Sequence, residues 1–232
     1  VVLEDPLLGC REDVAAAGRA VIRAGRVRRD LQARATAGDR LLLLLDAEPD
    51  RDRFELEADL RAPSGGLVAT AAGLDKPLVL TATGNGSWSR WRGELEARIG
   101  EGEAAAPLAD LSLSADDGRF RASGRLTPQP LLPAGSPIAA LAAPAITLDA
   151  IASRDGDWLD LKLAATSDAL ALQGGGRIDT TDNLLDGARL SVSLKQPQAV
   201  SPALSGQGIT ATLTADGPLA DPDIQWRATA AS

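Results

Sequence analysis

The chain has 232 residues, a formal net charge of −8, no His, Met or Tyr, and only 3% aromatic residues. The acidic balance excludes nucleic acid or an anionic membrane surface as a partner held by bulk charge, because a phosphate backbone is bound by surplus Lys and Arg. The absence of His removes imidazole bases, Ser-His-Asp and Cys-His catalysis and the usual zinc sites.

In chain order, Leu7-Leu8-Gly9-Cys10 superficially matches a lipoprotein cleavage box, but Glu4 and Asp5 stand where an apolar stretch is needed, so it reads as a chance match. Cys10 is the single cysteine and allows no intrachain disulfide. Over Val14 to Arg29 two readings stay open: Val14, Ala17 and Val21 fit a helix, whereas Gly18 and Gly25 fit hairpin turns better. From there strict alternation takes over, the period of a half-buried strand. Phe54, Leu56, Ala58 and Leu60 alternate with charged residues, and so do Trp91, Leu95, Ala97 and Ile99. Leu111-Leu113-Ala115, Phe120-Ala122-Leu126, Leu159-Leu161-Leu163, Leu190-Val192-Leu194, Ile209-Ala211-Leu213 and Ile224-Trp226-Ala228 continue it.

Turns are expected at Gly84-Asn85-Gly86, Asp116-Asp117-Gly118, Asp155-Gly156-Asp157, Asp186-Gly187 and Asp216-Gly217-Pro218, which supply the positive φ of tight hairpins. Their spacing predicts about a dozen strands in sequential antiparallel order. Besides Val14 to Arg29, two further stretches interrupt the pattern. Ser64 to Leu74 predicts a short helix capped by Ser64, and Ser136-Pro137 opens a helical turn within a Pro/Ala-rich stretch. The expected organisation is a first β segment over 1–127, a joint over 128–144 and a second β segment over 145–232. The longest apolar run, Ile138 to Ala143, is far short of the ~20 residues of a transmembrane helix, so any export signal or anchor is expected outside this segment.

The remaining chemistry is weak. The pairs Asp116-Asp117, Asp155-Asp157 and Asp221-Asp223 all fall at expected turns, where carboxylates are solvated turn formers, so no catalytic, metal-binding or cofactor-binding residue is assigned. Asp155-Gly156-Asp157 opens like a calcium loop, but Leu159 and Thr166 stand where further oxygen ligands belong. Gly84-Asn85-Gly86 and Gly206-Gln207-Gly208 lack the third glycine of a dinucleotide fingerprint. Trp91 and Trp226 are in phase with apolar positions, while Trp88 and Trp158 sit beside expected turns; all four read as packing residues.

Pro63 to Gly100 contains, in order, Pro-Ser-Gly-Gly-Leu, a Leu/Ala-rich piece, Lys76-Pro77-Leu78-Val79-Leu80, Gly84-Asn85-Gly86 and Trp91-Arg92-Gly93-Glu94-Leu95. This order resembles repeats of the TamB family, the inner-membrane-anchored periplasmic component of the translocation and assembly module, related to the AsmA-like proteins. Gly217-Pro218-Leu219-Ala220-Asp221-Pro222-Asp223-Ile224 is similar to strand junctions of both groups, and Leu126 to Asp179 shares their texture. The resemblance implies an internal segment of a long periplasmic protein, anchored by an N-terminal segment not present here, and a taco-like β-groove. It further implies an outer-membrane barrel partner similar to TamA that docks through regions outside this segment. The implied roles are phospholipid transfer between the two membranes and outer-membrane protein (autotransporter) assembly and secretion.

Taken together, the expected fold is all-β: an elongated, strongly curved antiparallel meander with one or two helical interruptions. The expected function is a non-enzymatic conduit or scaffold whose apolar face shelters phospholipid acyl chains, without a cofactor. Leu56, Leu95, Leu113, Leu161, Val192 and Leu213 are the expected lane-lining positions, each in phase with apolar neighbours; Glu94, Ser112, Lys162, Ser193 and Thr212 are expected on the opposite, solvated face. The alternatives are an extracellular β-solenoid or adhesin-like module, which would show a fixed repeat period, and a β-sandwich half, whose apolar face a second sheet would cover.

Overall fold

A computed structural model describes residues 2–4, 11–23, 26–87, 89–133, 135–200 and 208–231. Fifteen strands dominate, with two short α-helices among the described residues. The chain falls into two compact units divided between Ser114 and Ala115.

The first unit runs β1 (Val2–Glu4), β2 (Arg11–Arg23), β3 (Arg26–Ala35), β4 (Arg40–Glu48), β5 (Arg53–Ala62), helix α1 (Leu67–Ala71), β6 (Leu78–Gly86) and β7 (Arg90–Ile99). Strand β8 (Ala106–Asp116) crosses the division. From β1 to β7 each strand pairs antiparallel with the next in sequence. Within the second unit, β9 (Arg119–Leu126), α2 (Pro137–Leu141), β10 (Ile146–Asp155), β11 (Trp158–Thr166), β12 (Leu170–Asp179), β13 (Leu184–Leu194), β14 (Gly208–Pro218) and β15 (Asp223–Ala231) follow the same rule. The all-β antiparallel meander read from alternation is therefore the observed fold, with more strands than the dozen expected. The Pro/Ala-rich stretch 128–144 lies inside the second unit, on the connection from β9 to β10, and carries α2.

Of the two readings of Val14 to Arg29, the hairpin holds: β2 and β3 pair from Val14↔Ala35 to Arg23↔Arg26. Gly18 is not at a turn, however. It lies inside β2 opposite Leu31, where a Cβ would stand 3.1 Å from the Asp30 carbonyl oxygen and 3.4 Å from Leu31 Cδ1. Gly25, the Leu7-Leu8-Gly9-Cys10 stretch, Trp88 and most of Gly206-Gln207-Gly208 lie outside the described residues.

Two of the five expected turns form as read. Asp117 (φ 44°) and Gly118 (φ 81°) are the two-residue loop between β8 and β9, and Gly156 (φ 60°) opens the loop between β10 and β11. The other three are corrected. Gly84-Asn85-Gly86 belongs to β6, because the Trp91 ring lies over Gly84 and Gly93, which face each other across β6 and β7. A Cβ on Gly84 would stand 1.9 Å from Trp91 Cζ2, so here glycine marks a close approach within a strand instead of a turn. Phe54 meets the edge of the same ring with centroids 6.4 Å apart. Asp186-Gly187 is a bulge within β13, where the Asp216 carboxylate on β14 accepts from Gly187 N–H at 2.6 Å. Asp216-Gly217-Pro218 closes β14, and the chain reverses one step later at Leu219 and Ala220.

Both helices form where expected, but the first is capped differently. Its N-cap is Gly66 rather than Ser64, and it carries no cap of its own. The Asp39 carboxylate, from the hairpin between β3 and β4 and only 5% exposed, accepts instead from Leu67 N–H at 2.6 Å and Val68 N–H at 3.0 Å. Ser64 Oγ donates to the Asp75 carbonyl. In the second unit Ser136 caps α2 locally, accepting from Ala139 N–H at 3.2 Å.

Candidate functional site

Register turns the alternation of each strand into continuous rows, because directly paired residues share a face. In the first unit one row runs Gly18, Leu31, Leu43, Ala58, Ala82, Leu95, and the next runs Ala16, Ala33, Leu41, Leu60, Leu80, Ala97. Leu56 stands in a neighbouring row between Leu45 and Gly84. At ~4.8 Å per strand, a six-strand row spans about 24 Å. In the second unit Gly124, Leu148, Ala165, Leu172, Val192, Ala211 and Ala228 form a seven-strand row. Leu213 lies in the adjacent row between Leu190 and Trp226, and Leu161 in a third between Ala152 and Gly176.

Five of the six lane positions thus lie on the apolar face of their unit. The sixth, Leu113, is half-buried in β8 beside exposed Ser112. Leu56, Leu95, Leu161 and Val192 are half-buried, and Leu213 is 37% exposed. Of the positions expected to be solvated, Glu94 and Lys162 are exposed, whereas Ser193 and Thr212 are half-buried, short side chains sheltered by their neighbours.

The apolar faces lack a conventional core. Among the described residues the buried hydrophobic ones are Ile99 and seven alanines, and no leucine is among them. A sandwich covers its inner leucines with a second sheet; here Ile224 is 55% and Trp226 76% exposed on the apolar face of β15.

The opposite faces differ in chemistry. In the first unit the Arg26 guanidinium binds the Asp46 carboxylate, donating from Nε at 2.8 Å, and Glu48 draws Arg51 to 2.9 Å. The hydrogen bond from Arg26 holds the Asp46 carboxyl below its ordinary range and raises the guanidinium. In the second unit hydroxyls take over: Thr147 faces Thr166, and Ser193 faces Thr210, which faces Thr229. There Arg121 pairs with Asp149, and Arg177 lies 4.5 Å above the Trp158 ring. A polar pocket of about 400 Å³ opens between Arg125, Thr166 and Asp168.

One functional candidate escaped the sequence reading. Arg29 occupies the apolar face of β3, opposite Ala20 on one side and Leu45 on the other. Its signal was its parity with Val27, Leu31 and Ala33, hidden while the segment was read as either helix or hairpin.

No described helix is long and apolar enough to cross a membrane, and among the described residues no group of three or more His, Cys, Asp or Glu side chains gathers as a metal site. Comparison of the chain with protein-family models, with characterised proteins and with solved structures finds no match.

Proposed function

We propose that this chain is a segment of a non-enzymatic periplasmic conduit or scaffold, whose apolar sheet faces shelter phospholipid acyl chains in transit between two membranes and support outer-membrane protein assembly. The carrying observation is the pair of unbroken apolar rows, six and seven strands long, with leucines left half-buried instead of sealed in a core. Each methylene sheltered there gains about 0.8 kcal/mol without directional contacts. The resemblance of Pro63 to Gly100 to TamB repeats supports the same reading, and with it an inner-membrane anchor and a TamA-like barrel partner on the parent protein.

Transfer of fluorescent phospholipid between donor and acceptor vesicles tests it. Leu95→Arg and Leu161→Arg, each introducing a charge into an apolar row, are expected to lower transfer about tenfold or more, whereas Glu94→Arg and Lys162→Glu should leave it unchanged. Equal transfer by both sets of folded variants would remove the conduit and leave a scaffold.

A further inference from the structure

We infer that Arg29 is the headgroup site of the first unit: it selects amphiphiles carrying a net negative head, a phosphate diester or a carboxylate, over zwitterionic ones of the same chain length. The inference rests on the reading of the apolar face as a chain-binding surface and adds to it a chemical preference.

Across the rows that register β2 to β7, every residue on that face is uncharged except Arg29. Its neighbours along β3 are Val27 and Leu31, and those on β4 are Leu43, Leu45 and Ala47. Asp30, next to it in sequence, and Asp46 on β4 belong to the opposite face, where Asp46 is engaged by Arg26. Along β2, Glu12 registers with Leu3 on β1, eight residues from Ala20, or roughly 27 Å at the usual rise. Arg29 is exposed and has no ion pair or side-chain hydrogen bond among the described residues.

A guanidinium is a costly choice on a face that otherwise avoids charge, and it presents a planar donor fork suited to phosphate or carboxylate oxygens. Leu45 and Leu56 share its row and Leu31 and Leu43 stand in the next, so a head bound at Arg29 leaves its chain on leucine. The other unit differs. Its apolar-face arginine, Arg154, stands at the end of β10 and donates from Nε to the Gly156 carbonyl at 3.1 Å, so its guanidinium is already engaged by the turn.

Binding of monomeric myristoyl-lysophosphatidylglycerol and myristoyl-lysophosphatidylcholine to the full chain, measured by calorimetry at low salt, tests this. The wild type should bind the anionic lipid about tenfold more tightly, as expected for one charge-assisted contact. Arg29→Gln should bring the anionic lipid down to the zwitterionic level without changing the latter; Arg29→Lys should keep part of the preference, and Arg34→Gln, on the opposite face, should keep all of it. Inorganic phosphate at millimolar concentration should not compete, because it has no chain to bury; competition would assign the site to a free anion and overturn the amphiphile. Equal binding of both lipids by the wild type, or a preference that survives Arg29→Gln, would overturn the proposal while leaving the apolar face as a chain site. Binding of neither lipid would overturn both.

Discussion

The two short helices occupy comparable connections, α1 between β5 and β6 and α2 between β9 and β10, yet they are fastened by different means. Helix α2 starts on its own Ser136-Pro137, and its C-terminal end is held by Ser167, whose Oγ donates to the Leu141 carbonyl, and by Gln129, which donates to the Ala142 carbonyl at 2.7 Å. Helix α1 has no local cap and depends on a buried carboxylate 28 residues earlier in the chain. A five-residue helix has almost no stability of its own, so the difference is whether folding of the segment waits for another hairpin. The first unit makes its helix conditional on the β3–β4 hairpin; the second specifies its start locally.

The sharpest way to break this comparison is Asp39→Ala. It strips two helix N–H groups of a charged, buried acceptor and is expected to destabilise the chain by about 3 kcal/mol in urea unfolding, against about 1 kcal/mol for Ser136→Ala. Equal losses would mean that α1 is held by something other than Asp39.

Glycines in the two apolar faces give the next contrast. Gly84→Ala forces the Trp91 ring off its seat and should cost about 2 kcal/mol, with a red shift of tryptophan emission as the indole is exposed. Gly174→Ala meets chiefly a methyl of Leu190 at 3.1 Å, which can rotate away, so a loss below about 1 kcal/mol is expected. A silent Gly84→Ala would show that Trp91 has another resting place.

Much of this was legible in the sequence, for identifiable reasons. Strand type and facing were readable because alternation is a local property: Phe54 to Leu60 and Leu159 to Leu163 sort correctly without knowing their neighbours. The Ser136 cap and the Asp117-Gly118 and Gly156 loops were readable because their chemistry is contained within a few residues. What failed was non-local. Gly84, Gly18 and Gly187 look like turn formers, but each answers to another strand: the Trp91 ring, Leu31 and the Asp216 carboxylate. Asp39 and Arg29 were missed for the same reason, since a carboxylate in a hairpin and an arginine in a strand acquire their roles only through register.

A smaller effect separates the polar faces. The folded Asp46 carboxyl is depressed by its hydrogen bond from Arg26, so its contribution is fully present above the ordinary aspartate range and is lost as pH falls through the lowered value. Because the pair is solvent-exposed and screened by water, the effect should be small. Asp46→Asn should therefore flatten the acid limb of stability against pH slightly, whereas Thr147→Val, in the hydroxyl rows of the second unit, should leave its shape unchanged. An unaltered acid limb in Asp46→Asn would remove Arg26–Asp46 as a contributor.

The central claim is that one face of each unit is a surface for aliphatic chains. Site-specific photocrosslinking to phospholipid tests it most directly, with the photoreactive residue at Leu56, Leu95, Leu161, Val192 or Leu213 on the apolar faces, and at Glu94, Lys162, Ser193 or Thr212 on the opposite ones. Strong lipid adducts from the first set and background from the second are the predicted result; equal labelling from both sets, or none from either, would contradict it.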